Sequence, residues 1–354
     1  MIDTKEQLED WLKPLVSLEN PVIAVDTEAD SLYRYSESLC LVQISDGVRH
    51  ELIDSLAIDD LSALGDFLKG TPAWMHGADY DMTMFLRALD VCPPTVFDTQ
   101  VGARLLGAQR FGYGNLVEDY LGVTLSKSSQ KANWGKRPLT PKMVDYALND
   151  VIYLFPLAEK IVSQLQAKGR YDWFLESCDA ARERVLQRSG EVNEEPWRIN
   201  GAGKLQPRGL SFLRALWNWR DSEAAEWDRP SFMVLTNKEM IKWADLLAEG
   251  KGVPIPDRFR SNRRRRLEGA IAAAKAEPQS DWPVRPKGKR RKLDEDFEAR
   301  VAALQKVRDA RARELEIDPS LIVNRAGMEA LCAPVPETTA EELLLNWQRE
   351  LLGL

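Results

Sequence analysis

The sequence predicts an α/β domain over residues 1–170, a linker at 171–203, and two small all-α bundles at 204–280 and 281–354. Three observations carry this division. Short apolar runs joined by tight turns occupy the first 70 residues. Helical periodicity then alternates with a further apolar run, the pattern of a sheet flanked by helices. Beyond residue 171 nothing reads as a strand, and two Pro-rich breaks separate the helical stretches.

The elements follow in order. "VIAVDTE" (22–28) is four apolar residues followed by Asp26, Thr27 and Glu28. It reads as a buried strand whose alternation puts both carboxylates on one side. "SLCLVQIS", a turn at Asp46-Gly47, and "HELID" follow. Connections this short favour antiparallel neighbours, because a parallel pair needs a crossover. The pattern then becomes helical in "DDLSALGDFLKG", with "PAWMH" as a short apolar strand before a helix through "YDMTMFLRAL". Three more helical stretches are expected, interrupted by a polar, basic segment at 126–137. The last begins in "LTPKMVDYALNDVIYLFPLAEKIVSQL", with Thr140 as N-cap and Pro141 in the first turn. Residues 191–208 are rich in Asn, Pro and Gly, helices resume in "RGLSFLRALWNWRDSEAAEWD", and "PQSDWPVRPKGKRRK" is the second break.

Composition narrows the chemistry. The four cysteines, Cys40, Cys92, Cys178 and Cys332, form no C-x-x-C pair, which argues against a zinc site or disulfide framework. With only His50 and His76, chemistry needing several imidazoles is excluded. No apolar run approaches a membrane span. The amphipathic start "MIDTKEQLEDWLKPL" lacks the apolar stretch of a secretion signal, so a soluble, cytoplasmic protein is expected, with a monomer favoured. The net charge of −7 does not exclude a nucleic-acid partner when basic residues cluster locally.

Four carboxylates share a context at the edges of apolar elements: Asp26 and Glu28, Asp81 in "HGADYD", and Asp150 in "YALND". Taken singly, each is an ordinary solvated or helix-capping acid. Tyr146 precedes Asp150 by four residues and shares its helix face. Together, without His or Cys, they favour hard oxygen-liking cations, Mg²⁺ or Mn²⁺. Two such ions about 4 Å apart form the arrangement that cleaves phosphodiesters.

The set "DTE", "HGADYD" and "YALND" resembles the three motifs of the DEDD exonucleases, and Tyr-x-x-x-Asp marks their tyrosine subclass. The histidine subclass would need His where Asp145 stands. "FDTQVGARLL" and "GVTLSKSSQKANWGKRPLTPKMVDYALNDVIYLFPL" resemble the bacterial ribonuclease D family more narrowly. The resemblance implies an RNase H-like mixed sheet flanked by helices. It implies a catalytic set of Asp26, Glu28, Asp81, Tyr146 and Asp150 with two divalent metal ions. Asp26, Glu28 and Asp150 would hold the ion that activates water, with Asp26 bridging to the second. Asp81 would serve that second ion, partly through water, and Tyr146 would orient the attacking water. Backbone at Thr27 and Glu28 would meet the terminal 3′-hydroxyl. The family often has a large apolar residue where Ala29 stands here, so Leu32 or Tyr33 is expected against the last base. The implied reaction removes nucleoside 5′-monophosphates from RNA 3′ ends, with tRNA precursors as expected partners. A DNA 3′–5′ exonuclease shares the motifs, but the flanks favour RNA. A non-catalytic RNA-binding protein would have lost one or more carboxylates.

Lys127, Lys131, Lys136 and Arg137 surround Trp134 in "KSSQKANWGKR", a combination of cations and an aromatic face suited to single strands. "LQPRGLSFLRALWNWRDSEAAEWDRPSFMVLTNKEM" resembles the helical (HRDC) domain shared by RecQ-type helicases and ribonuclease D, and "RELEIDPSLIVNRAGMEAL" fits a second, HRDC-like copy. Basic runs at 263–266 and 287–292 suit phosphate contact.

Overall fold

The first three apolar runs form strands because their inward residues are almost wholly apolar and each ends in a turn. The computed structural model describes residues 1–191, 193–285, 294–334 and 338–354; the basic run at 287–292 lies outside the described residues. In chain order it places α1 (Lys5–Val16), β1 (Ile23–Ala29), β2 (Leu39–Ser45), β3 (His50–Ile53), α2 (Ser62–Gly70), β4 (Ala73–Met75) and α3 (Asp79–Leu89). After these come β5 (Val96–Asp98), α4 (Thr99–Leu105), α5 (Tyr113–Leu121), α6 (Pro141–Ile152), α7 (Leu154–Ala167) and α8 (Tyr171–Ser189). The remaining helices are α9 (Pro207–Trp227), α10 (Ser231–Val234), α11 (Asn237–Ala248), α12 (Ser261–Ala276), α13 (Phe297–Leu315), α14 (Pro319–Ile322), α15 (Arg325–Leu331), α16 (Ala340–Leu343) and α17 (Asn346–Leu352). No described helix is long and apolar enough to cross a membrane.

The five strands form one mixed sheet in the order β3-β2-β1-β4-β5. β1, β2 and β3 are antiparallel neighbours, as their short connections require, while β4 and β5 run parallel to β1. β1 is therefore central, and Ile23, Ala24 and Val25 are fully buried. The register of β1 against β2 shifts between Glu28 and Ala29, leaving Cys40 as the extra residue of a bulge. β5 escapes sequence reading because three residues are too few to show a period.

The described chain forms two compact units. The first comprises Met1–Ala29, Leu39–Gly190 and Arg291–Leu354; the second comprises Asp30–Ser38 and Glu191–Arg290. This corrects the division at 170. Residues 171–189 of the expected linker are the helix α8, whose Phe174, Cys178 and Val185 are buried in the first unit. Nor is 281–354 a separate bundle. Phe297, Val301, Ile322, Met328 and Trp347 share one core with Ala103, Leu105, Ile161 and Phe174. Arg170, only 6% exposed, joins the two stretches by donating to the carbonyls of Leu105 (2.7 Å) and Leu315 (2.9 Å).

One expected long helix breaks at Tyr153, between α6 and α7. Pro156 has no N–H to offer the carbonyl four residues earlier. The Tyr113 hydroxyl enters at the break, donating to the Asn149 carbonyl (3.0 Å). Thr140 caps α6 as the sequence suggests, accepting from the Met143 N–H.

In the second unit, α9, α11 and α12 pack around Leu210, Phe212, Leu213, Leu216, Trp243 and Leu267. The segment Asp30–Ser38 belongs to it. Tyr35 donates its hydroxyl to Asp221 (2.9 Å), Arg34 pairs with Asp228 (2.9 Å), and Arg229 donates to the Tyr33 carbonyl (3.3 Å).

Candidate active site

Strand alternation brings Asp26 and Glu28 to the same side of β1, and α6 carries Asp150 to meet them. Carboxylate oxygens of these three residues all lie within 4.8 Å of one another. Three negative charges at that separation repel strongly where water is scarce. Burial, with the neighbouring carboxylates second, raises the Asp26 carboxyl well above its usual range. The same causes push Glu28 up to about 9. Burial and then Asp81 push Asp150 up to about 7. An oxygen-only donor set that holds protons against neutral water is one that a hard divalent cation fits.

Asp81 stands beside this triplet, in the first turn of α3 and only 5% exposed. Its Oδ1 accepts the Thr27 hydroxyl (2.6 Å), so the residue between the two strand carboxylates fixes the fourth. Burial raises Asp81 to about 7 although these hydrogen bonds oppose the rise. The turn that leads into α3 is itself pinned. Asp98 at the end of β5 accepts from the N–H groups of Gly77 (2.9 Å) and Ala78 (3.0 Å). Gly77 adopts φ +68°, a conformation a side chain would strain. His76 is hydrogen-bonded to the Thr99 hydroxyl through Nδ1 (2.9 Å), a structural role.

The Tyr146 hydroxyl hydrogen-bonds to Asp150 on the same helix. Burial and the nearby carboxylates Asp150, Glu28 and Asp26 raise its pKa, so the phenol stays protonated through the physiological range. Two residues reach the site without having been singled out in the sequence. Gln43, directly opposite Asp26 on β2 and fully buried, donates to the Asp26 carboxylate (3.3 Å). Tyr113 lies close enough for Asp150 and Asp26 to raise its pKa. Strand pairing is the signal for Gln43; nothing local marks Tyr113.

The basic segment behaves differently from expectation. Trp134 is 1% exposed and packs against Tyr146, ring centroids 6.0 Å apart. Its faces are closed to a base, and it supports the tyrosine from behind. Arg137 is committed as well. Its guanidinium pairs with the buried Asp54 (2.5 and 2.6 Å) and donates to the carbonyls of Trp134 (2.7 Å) and Cys40 (2.8 Å). It therefore satisfies the bulge beside Glu28 and is not free for phosphate. Lys127 is exposed. Leu32 is 41% exposed, on the segment that packs in the second unit.

Carboxylates clustered at the end of a central strand, completed by an acid and a tyrosine from one flanking helix, define a carboxylate-cluster nuclease. Residues 1–166 match the family model described as a 3′-5′ exonuclease. Over 350 residues the chain is 31% identical to ribonuclease D of Sphingobium indicum, spanning 94% of this chain and 88% of that protein. Among solved structures, Escherichia coli RNase D is similar over 100% of this chain and 98% of its own, with TM-score 0.73 and 26% identity. A protein from Bifidobacterium adolescentis is similar with TM-score 0.80 and 26% identity, over 99% of this chain and 94% of its own. The chain belongs to the ribonuclease D family, and it is a hydrolase of the 3′–5′ exoribonuclease class.

Proposed function

We propose that this chain trims RNA from the 3′ end with two divalent ions, Mg²⁺ or Mn²⁺, releasing nucleoside 5′-monophosphates, and that tRNA precursors are among its substrates. The observation that carries the proposal is the triplet of Asp26, Glu28 and Asp150, whose oxygens lie within 4.8 Å and whose charges are disfavoured until a cation offsets them. A divalent cation, when bound, supplies a low-pKa water and charge compensation at the phosphate. Asp26, Glu28 and Asp150 would hold one ion, and Asp26 with Asp81 would serve the second. Thr27 fixes the Asp81 carboxylate through its hydroxyl, and Gln43 orients Asp26. Tyr146, kept protonated, donates to Asp150 and leaves its oxygen to accept a hydrogen bond from the attacking water. It positions the water and does not deprotonate it.

RNA as substrate is supported by the family and by E. coli RNase D, described as an exoribonuclease involved in structured RNA processing. We read residues 204–280 as an HRDC-type module that engages the nucleic acid. The deciding experiment is a gel of 5′-end-labelled tRNA precursor and matched DNA with Mg²⁺ or Mn²⁺. The expected result is a metal-dependent ladder shortening from the 3′ end of the RNA. Full activity in excess EDTA would refute the metal reading, and equal degradation of DNA would refute the choice of RNA.

A further inference from the structure

The second unit holds a cavity of about 570 Å³ that the catalytic reading does not use. It lies where α9 ends, α10 runs and α12 begins, and Trp227, Met233, Arg258, Arg260, Asn262 and Arg263 line it. Ligand pockets for small molecules span roughly 300–1,000 Å³, so the space suits one nucleotide.

Its charges are not balanced. Glu223, 2% exposed, accepts from Arg263 Nε (2.9 Å) and from Arg266, which also pairs with Glu226 (3.0 Å). These two acids neutralise two of the guanidinium groups. Arg258 and Arg260 remain exposed and without an ion pair among the described residues; Arg258 makes one long hydrogen bond, to the Val234 carbonyl (3.3 Å). Glu223 has a second effect. By fixing Arg263 it holds that guanidinium over the Trp227 indole, 4.9 Å from the ring centroid, while the indole stays 46% exposed. Large exposed aromatics are costly to leave in water, and this one shares the cavity with Arg258 and Arg260. Arg258 lies over Phe259 and near the Glu239 carboxylate, and neither arginine is in an ion pair among the described residues.

We propose that this cavity binds one nucleotide of an RNA chain, the phosphate meeting Arg258 and Arg260 and the base lying against Trp227. An acidic peptide would satisfy the arginines and leave the indole unused; a nucleotide uses both. The proposal rests on RNA being the substrate, and it gives the helical unit a defined contact point.

The test is fluorescence anisotropy of a labelled single-stranded oligoribonucleotide with the full chain in EDTA, over a range of salt. Arg258→Gln/Arg260→Gln should weaken binding about ten-fold and reduce the salt slope by about 0.7, the contribution of one phosphate on a single strand. Trp227→Leu should weaken it about ten-fold with little change in slope. Thermal melts followed by circular dichroism confirm that each variant is folded. Two unchanged affinities would overturn the proposal. So would a glutamate-rich peptide whose binding falls in the arginine variant while the oligoribonucleotide's does not. A nucleoside 5′-monophosphate that binds through these residues while the oligoribonucleotide ignores them would equally overturn the assignment to an RNA chain. Hydrolysis of the same oligoribonucleotide by the wild type with Mg²⁺ is scored separately. Failure at the pocket is thereby distinguished from failure of the exonuclease reading.

Discussion

Replacing Glu28 by Gln should make the metal-free protein more stable, and by an amount that grows with pH. The carboxyl titrates near 4.5 when unfolded and near 9 in the folded protein, because burial and then Asp150 and Asp81 oppose its charge. A folded-state pKa raised in an acid means that the folded state binds the extra proton. The penalty is absent below about pH 4.5 and increases by about 1.36 kcal/mol per pH unit up to about pH 9. At pH 6 it amounts to about 2 kcal/mol, and at pH 8 to about 5 kcal/mol. Gln has the shape of the protonated acid and no charge to suppress. Contact differences between the two side chains cancel in the comparison across pH, so the stability gap should widen by about 3 kcal/mol from pH 6 to pH 8. Urea unfolding in EDTA, followed by Trp fluorescence at both pH values, measures it. A gap that is independent of pH, or that narrows as pH rises, would refute the view that Glu28 is held protonated by its burial and its acidic neighbours. Adding Mg²⁺ at pH 8 should raise the midpoint of the wild type and leave the variant nearly unmoved, since only the wild type retains the full set of oxygens.

Three further outcomes follow from the geometry. Tyr146→Phe should lower kcat by about 100-fold or more while KM changes little, because a group that orients the water acts in the reaction and not in RNA binding; a rise in KM alone would contradict the assignment. Arg137→Gln should cost about 3–5 kcal/mol by stranding the buried Asp54, with urea unfolding as the measure; an effect confined to RNA affinity would restore Arg137 as a phosphate ligand. Deleting residues 294–354 should lower the urea midpoint and expose dye-binding apolar surface, because Phe297, Val301 and Trp347 cover the same core as Leu105 and Phe174. A deletion that melts like the full chain would show that this stretch is the independent domain its sequence suggests.

The acids were legible because strand alternation puts Asp26 and Glu28 on one side and helical spacing puts Tyr146 and Asp150 on one face. Asp26 and Glu28 share one side of β1, and Asp150, not Asp145 of the same helix, meets them there. What composition cannot convey is direction. Trp134 and Arg137 have the residue types of a nucleic-acid contact, yet one is core and the other repairs a bulge at Cys40. The role of Arg137 depends on where β2 irregularly pairs with β1, a feature with no local signature. The α8 helix was hidden for a related reason. Its buried face is only Phe174, Cys178 and Val185, too thin a stripe within a charged sequence to stand out. Domain division failed at the C-terminal end because α13 to α17 read as amphipathic helices in any setting, and only packing reveals whose core they complete.

The path of the chain through the first unit sets an order of events during synthesis. The strand carrying Asp26 and Glu28 is made well before α13, and the carbonyl of Leu315 that Arg170 requires comes more than a hundred residues after Arg170 itself. In between, the whole helical insertion from 191 to 290 must emerge. Until α13 and α17 arrive, the faces of α4, α7 and α8 that they cover remain open to water and to other chains. Truncated products of this gene should therefore carry an exposed apolar surface that chaperones and proteases recognise. A nuclease core whose packing waits for α13 to α17 is one whose copies cut short before them are readily cleared.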